Sequence, residues 1–167
     1  YIIGCKNKDT EDKARFAIAA ASSYREGAEP DKVINGVSRN EENQLNYWCS
    51  NGISDQGETL TLKLSKTSAL RQIRITFDPD LTKEHCISLS KATIQKVGNG
   101  SPKELVKDYR ICLYQAGNLV YEREVKENFQ RLNILNLPET VETDSVELQV
   151  LETYGCTDAR VFEIRLY

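Results

Sequence analysis

From Thr59 onward, apolar residues occupy alternate positions in short runs separated by Gly, Pro, Asn and Asp, the pattern of half-buried antiparallel strands. Leu60, Leu62 and Leu64 alternate with Thr61 and Lys63, and Ile73, Ile75 and Phe77 alternate with Arg74 and Thr76, which predicts two strands. Residues 86–94 predict a third, less regular one, closed by the turn chemistry of Gly98-Asn99-Gly100-Ser101-Pro102. Tyr109, Ile111 and Leu113 alternate with Arg110 and Cys112, and the break at Ala116-Gly117-Asn118 leads into residues 119–125, a predicted hairpin. Residues 129–135, 146–151 and 160–167 complete the set, the last with Phe162, Ile164 and Leu166 set against Val161, Glu163 and Arg165. No long helix is available to cross over between parallel strands, so the pattern predicts an all-β, antiparallel β-sandwich or jelly roll rather than an α/β fold.

The first 58 residues differ. Residues 10–21 are amphipathic and compatible with either a helical turn or an opening strand. Residues 22–57 are polar and loop-like, anchored only by Val33-Ile34 and residues 45–48, and long ordered loops on a rigid sandwich are where binding concentrates.

A chain of 167 residues with 40% hydrophobic and 28% charged positions suits one domain with a sizeable core. No apolar run approaches the length that crosses a bilayer, so membrane insertion is excluded as an expectation. The formal charge of −3 is spread along the chain, without the basic stripe that nucleic acid requires, and mixed clusters such as Asp9-Thr10-Glu11-Asp12-Lys13 read as solvated faces. The chain begins at Tyr1 and contains no methionine, from which a processed or excised piece is expected.

Candidate chemistry is sparse. The one histidine, His85, lacks local partners for a metal site or a nucleophile–base pair and reads as a surface or edge-strand residue. Hydrolase elbows, zinc-protease helices, phosphate loops and dinucleotide fingerprints are all missing, so no catalytic residue is assigned. Five cysteines leave at least one without a partner in the chain. Cys86 and Cys112 read as small buried apolar residues, while a disulfide among Cys5, Cys49 and Cys156 stays open. Asn99-Gly100-Ser101 matches a glycosylation sequon, but Pro102 after it favours the turn.

Four segments carry a resemblance by their order and spacing: Ala20-Ala21-Ser22-Ser23-Tyr24, Asp31-Lys32-Val33-Ile34-Asn35-Gly36, Tyr47-Trp48, and the closing run from Ala159 through Glu163-Ile164-Arg165-Leu166 to Tyr167. Together with Leu60-Thr61-Leu62-Lys63-Leu64 and Ile73-Arg74-Ile75 they resemble the coagulation-factor V/VIII type C (discoidin) family, which includes family-32 carbohydrate-binding modules. The resemblance implies one galactose-binding-domain-like sandwich over residues 1–167, with 1–19 an N-terminal extension or linker. It implies a non-catalytic accessory module binding a glycan or glycoconjugate, beside a catalytic domain of the same parent chain. Ser23-Tyr24-Arg25-Glu26-Gly27, Asn46-Tyr47-Trp48-Cys49-Ser50-Asn51-Gly52 and Arg74-Ile75-Thr76-Phe77-Asp78-Pro79-Asp80-Leu81 are also similar to the region after the flavin domain of some bacterial FAD-dependent oxidoreductases. This implies a bacterial, periplasmic or otherwise extracytoplasmic module that itself binds no FAD, with a purely structural packing domain as the alternative.

Many family members hold a structural calcium, which wants several oxygens at once. Carried over by position, its ligands would be the carbonyls of Lys32 and Val37, the Asn35 side chain, Asn40 and Glu163; sodium or water could fill the same place. Asn35 stands where the family has Asp, and an insertion follows Gly36, so a charge is lost and the loop path altered. Trp48 is expected to be packed beneath the loops rather than presented to sugar. Ligand contact is therefore assigned to loop residues with planar or forked donors and a phenol: Arg25, Arg39, Asn40, Asn43 and Tyr154.

Overall fold

Two of the predicted strand pairs are each one long strand that bends. The computed structural model describes residues 9–41, 44–81 and 101–167. Residues 60–64 and 73–77 both belong to β3, Glu58–Phe77, and residues 132–135 and 146–151 both belong to β6, Leu132–Thr153. A straight strand of 20 residues would run about 65 Å, far more than a compact chain with a radius of gyration of about 15 Å can span. The bend falls where the alternation fails: Ser65, Lys66 and Thr67 are all exposed, and the pairing of β3 with β6 shifts register between Lys63 and Ser68 and again between Leu70 and Gln72.

Folding β3 and β6 over in this way makes two layers from one continuous hydrogen-bonded path. The first layer runs β1 (Ile18–Ala21), the first half of β3, the second half of β6, β4 (Val106–Gln115) and β5 (Asn118–Val125). The second runs β2 (Trp48–Cys49), β7 (Arg160–Leu166), the second half of β3 and the first half of β6. Every pairing is antiparallel. Leu60, Leu62, Ile73, Ile75, Phe77, Ile111, Leu113, Leu148, Ile164 and Leu166 fill the space between the layers. The Phe77 and Tyr109 rings meet there with centroids 5.1 Å apart, and the buried Tyr109 hydroxyl donates to Asn133 Oδ1 at 3.0 Å.

The predicted alternation of the last strand is broken once. Thr76 faces Glu163 but Phe77 faces Val161, so Phe162 is a bulge residue. Val161, Ile164 and Leu166 enter the core, while Phe162 leaves it and packs edge-on against Tyr47 at 5.3 Å. Residues 10–21 contain both of the structures their pattern allowed: a 3-10 turn at Lys13–Phe16, then β1. Asp12 caps that turn through Ala14 N–H and also accepts from Leu166 N–H, each at 3.0 Å, which ties the start of the described chain to the last strand. Burial pushes the Asp12 carboxyl up. The predicted hairpin is β4–β5, turning through Ala116 and Gly117, both at positive φ as a type I′ turn requires.

Cys112 is buried as expected. Residues 86–94, His85, Cys5, Cys86 and Asn99 lie outside the described residues. No helix among the described residues is long and apolar enough to cross a membrane.

Candidate functional site

With the bends of β3 and β6 at one end, the opposite end collects the loops. The Ser22-Ser23 pair acts there as a fastener. Both hydroxyls donate to one oxygen of the buried Glu58 carboxylate at 2.6 Å, and Ser23 also accepts from Asn51 N–H and, through its carbonyl, from the Trp48 indole at 2.9 Å. Trp48 is 0% exposed, so it anchors the loop layer and offers no face to a sugar, in agreement with its sequence reading.

Behind it lies a charged knot around Asp158. This carboxylate accepts from Arg160 Nε at 2.7 Å and from the Cys49 and Cys156 thiols at 3.3 Å each, and pairs with Arg25 at 3.4 Å. Burial alone would raise the Asp158 carboxyl, but the bonds from Arg160, Cys156 and Cys49 outweigh it and hold the group below its ordinary value. Burial and the same carboxylate push the Cys49 thiol up to about 12. Cys49 and Cys156 are both free thiols, so of the disulfide partners left open, these two share an acceptor instead of a bond. Arg160 reaches on to Asp78 at 3.6 Å, and Asp78 accepts from Asp80 N–H at 2.8 Å, closing a tight turn with Asp80 at φ +51°. Burial raises the Asp78 carboxyl.

That turn forms one wall of a cleft of about 140 Å³ lined by Arg39, Asn40, Asp78, Asp80, Leu81, Arg131 and Phe162. Its polar groups are two guanidiniums, an amide and two carboxylates, and its apolar surface comes from Leu81 and the displaced Phe162. Of the residues assigned to ligand contact, Arg39 and Asn40 therefore come together. Arg25 does not line this cleft; its half-exposed side chain is engaged with Asp158, one step removed through Arg160. Tyr154 is partly buried against the core beside Leu105 and also lies apart from it, and Asn43 is outside the described residues. Asp78, Asp80, Arg131 and Phe162 were not singled out for ligand contact. The two carboxylates flanking Pro79 directly after a strand were a usable signal; Arg131 and the bulged Phe162 had none.

In the set assigned to a cation, several oxygens already accept hydrogen bonds. The Lys32 carbonyl accepts from Asn35 N–H at 3.2 Å, Asn35 Oδ1 accepts from Val37 N–H at 2.7 Å, and Asn40 Oδ1 accepts from Asn46 N–H at 3.1 Å. These bonds shape the turn that Gly36 completes at φ +80°. The buried Glu163 carboxylate pairs with Arg165 at 2.9 Å and shares its cleft with Arg74 and Arg131. Arg131 Nη2 donates to the Ser38 carbonyl while its guanidinium lies over Phe162, 5.5 Å from the ring centroid. A guanidinium thus fastens the loop to the sheet, and three of them share the cleft of the Glu163 carboxylate.

No family model matches the sequence, and no curated protein matches it. Solved structures do. The family 32 carbohydrate-binding module of NanJ from Clostridium perfringens, determined in complex with galactose, superposes with a TM-score of 0.64 at 16% identity, over 92% of this chain and 95% of that one. A fucose-binding module of Streptococcus pneumoniae gives 0.69 at 13% identity over 96% and 97%, and the family 32 module of EndoD from the same organism gives 0.68 at 15% over 93% and 98%. The chain therefore has the galactose-binding-like jelly-roll fold of these modules. At such identities the likeness establishes the fold, and the site has to be argued from its own residues.

Proposed function

We propose that this chain is a non-catalytic carbohydrate-binding module that holds its glycan in the cleft between Arg39-Asn40 and Asp78-Asp80. The observation that carries the reading is the composition of that cleft on this fold: planar donors together with carboxylate acceptors, with Leu81 and Phe162 as an apolar surface. Neighbouring sugar hydroxyls both donate and accept, so they pair with Asp and Arg or Asn at once, while the C–H face of the ring sits on apolar carbon. The solved neighbours that bind galactose and fucose support it. A shallow cleft of this size predicts weak binding, on the order of millimolar to micromolar, or about 4 to 8 kcal/mol.

The module would work outside the cytoplasm, where glycans are displayed, and would bring a tethered catalytic domain to them. An FAD-dependent oxidoreductase as that partner rests on the sequence likeness alone. A second reading, a packing domain without a ligand, is favoured by the exposed Phe129, Leu132 and Ile134 at the start of β6.

Titration of the chain with galactose, fucose and short galactosides, followed by calorimetry or amide NMR, tests the proposal. Binding at millimolar sugar that is lost in Arg39→Ala, with unchanged melting temperature, and in Asn40→Ala, with the native amide spectrum retained, supports it. Intrinsic fluorescence should stay constant, because the one tryptophan is fully buried. Binding that survives both substitutions moves the site elsewhere, and no binding to any sugar favours the packing domain.

A further inference from the structure

A second cleft, of about 200 Å³, opens beside the first on the outer face of the second layer, between the sheet and the loop that follows Gly36. Its lining is Ser38, Arg74, Thr76, Arg131, Leu132, Glu163 and Arg165. Arg74 and Arg165 stand directly opposite one another on β3 and β7, and Thr76 faces Glu163 one step further along. Like charges in direct cross-strand register are destabilising, and a sheet face usually avoids them. Glu163 offsets only part of this, since its pair is with Arg165. Arg74 is held by Gln72 Oε1 at 2.6 Å and by the face of Tyr167, 4.6 Å from the centroid, and among the described residues neither it nor Arg131 forms an ion pair with a carboxylate. Asp9 accepts from the Tyr167 hydroxyl at 2.7 Å, and that bond, with smaller help from the charges of Arg165 and Arg74, holds its carboxyl down.

Guanidiniums thus outnumber carboxylates in this lining, three to the one of Glu163. The buried Nε–H groups of Arg131 and Arg165 have no hydrogen-bond partner among the described residues, and unpartnered buried donors at one place call for an explanation. The chain as a whole carries −3, so this patch is positive against its own background. An oxyanion supplies what is missing: two or three oxygens in a plane or tripod, matching the fork of a guanidinium.

We infer that this cleft is an anion subsite that receives the carboxylate or sulfate of an acidic sugar. Arg131 lines both clefts, so a glycan seated between Arg39 and Asp80 can direct an acidic substituent, or its next residue, toward Arg74 and Arg165. The inference rests on the proposed glycan site and narrows its ligand to acidic glycans.

Galactose, galacturonate and galactose 6-sulfate, titrated at constant ionic strength, separate the possibilities. The acidic sugars should bind about tenfold more tightly than galactose, as one charge-assisted hydrogen bond would give. Arg74→Gln, which touches only the second cleft, should remove that advantage and leave galactose affinity unchanged. Preference for uronate over sulfate, or the reverse, identifies the substituent. Equal affinities for acidic and neutral sugars, or an advantage that survives Arg74→Gln, overturns the subsite while leaving the glycan site standing. If no sugar binds, sodium sulfate decides: shifts of the Arg74, Arg131 and Arg165 Nε resonances that saturate retain the anion site, and unmoved resonances end it.

Discussion

Replacing Asp158 with Ala removes the acceptor on which four donors converge. The largest loss is the 2.7 Å bond from Arg160 Nε, since Arg160 keeps just the 3.6 Å contact to Asp78 and the face of Tyr47, 5.9 Å from the centroid. A charge-assisted bond of this kind contributes about 1.5–3 kcal/mol. Arg25 is half exposed, so its pair adds less than about 1 kcal/mol. The two thiols are weak donors but lose their acceptor in a partly dry place. A total of about 3 kcal/mol is the low end for breaking a buried pair, and for a chain of this size it lowers the melting temperature by roughly 6–12 °C. The pH dependence follows from the direction of the shift. The folded carboxyl titrates below the ordinary 3.8, so its contribution is complete above that value and is lost as pH falls through the folded pKa. Thermal unfolding of both proteins should show a gap that is constant from about pH 5 to 8 and narrows below about pH 3.8. A gap under about 2 °C at neutral pH, or one that persists undiminished in acid, refutes the role given to this carboxylate.

Gly57 sits at φ +81°, and a Cβ there would lie 2.6 Å from the Val150 carbonyl oxygen, backbone that cannot step aside. Gly57→Ala should cost at least about 2 kcal/mol in urea denaturation, and a loss below about 0.5 kcal/mol would show that the β3–β6 register relaxes there. Arg131→Ala should lower stability by about 2 kcal/mol through the lost carbonyl bond and the Phe162 contact. Chelator should leave the melting temperature of the unmodified chain unchanged, whereas a rise of several degrees on adding calcium would show that a cation, not this guanidinium, fastens the loop.

The period-two runs determined the layer class by themselves, because a side-chain repeat of two is a local property of the strand that each residue carries in its own polarity. They also determined the β4–β5 hairpin, whose turn residues are adjacent in sequence. The bends that join residues 60–64 to 73–77 and 132–135 to 146–151 were not legible, because a polar stretch such as 65–68 looks the same whether the chain leaves the sheet or only bulges. The order of Ser22-Ser23, Gly36, Trp48 and Glu163 located the loop end, but not the work each residue does there. The resemblance implies Glu163 as a cation ligand, and only the fold shows that Arg74, Arg131 and Arg165 share its cleft from three separate strands or strand ends. Charge in a site is a sum over neighbours in space, and Arg131 is 93 residues away in sequence from the Ser38 carbonyl it holds. Hydropathy thus determined the scaffold, while the sign of the charge in its clefts was decided only by tertiary contact.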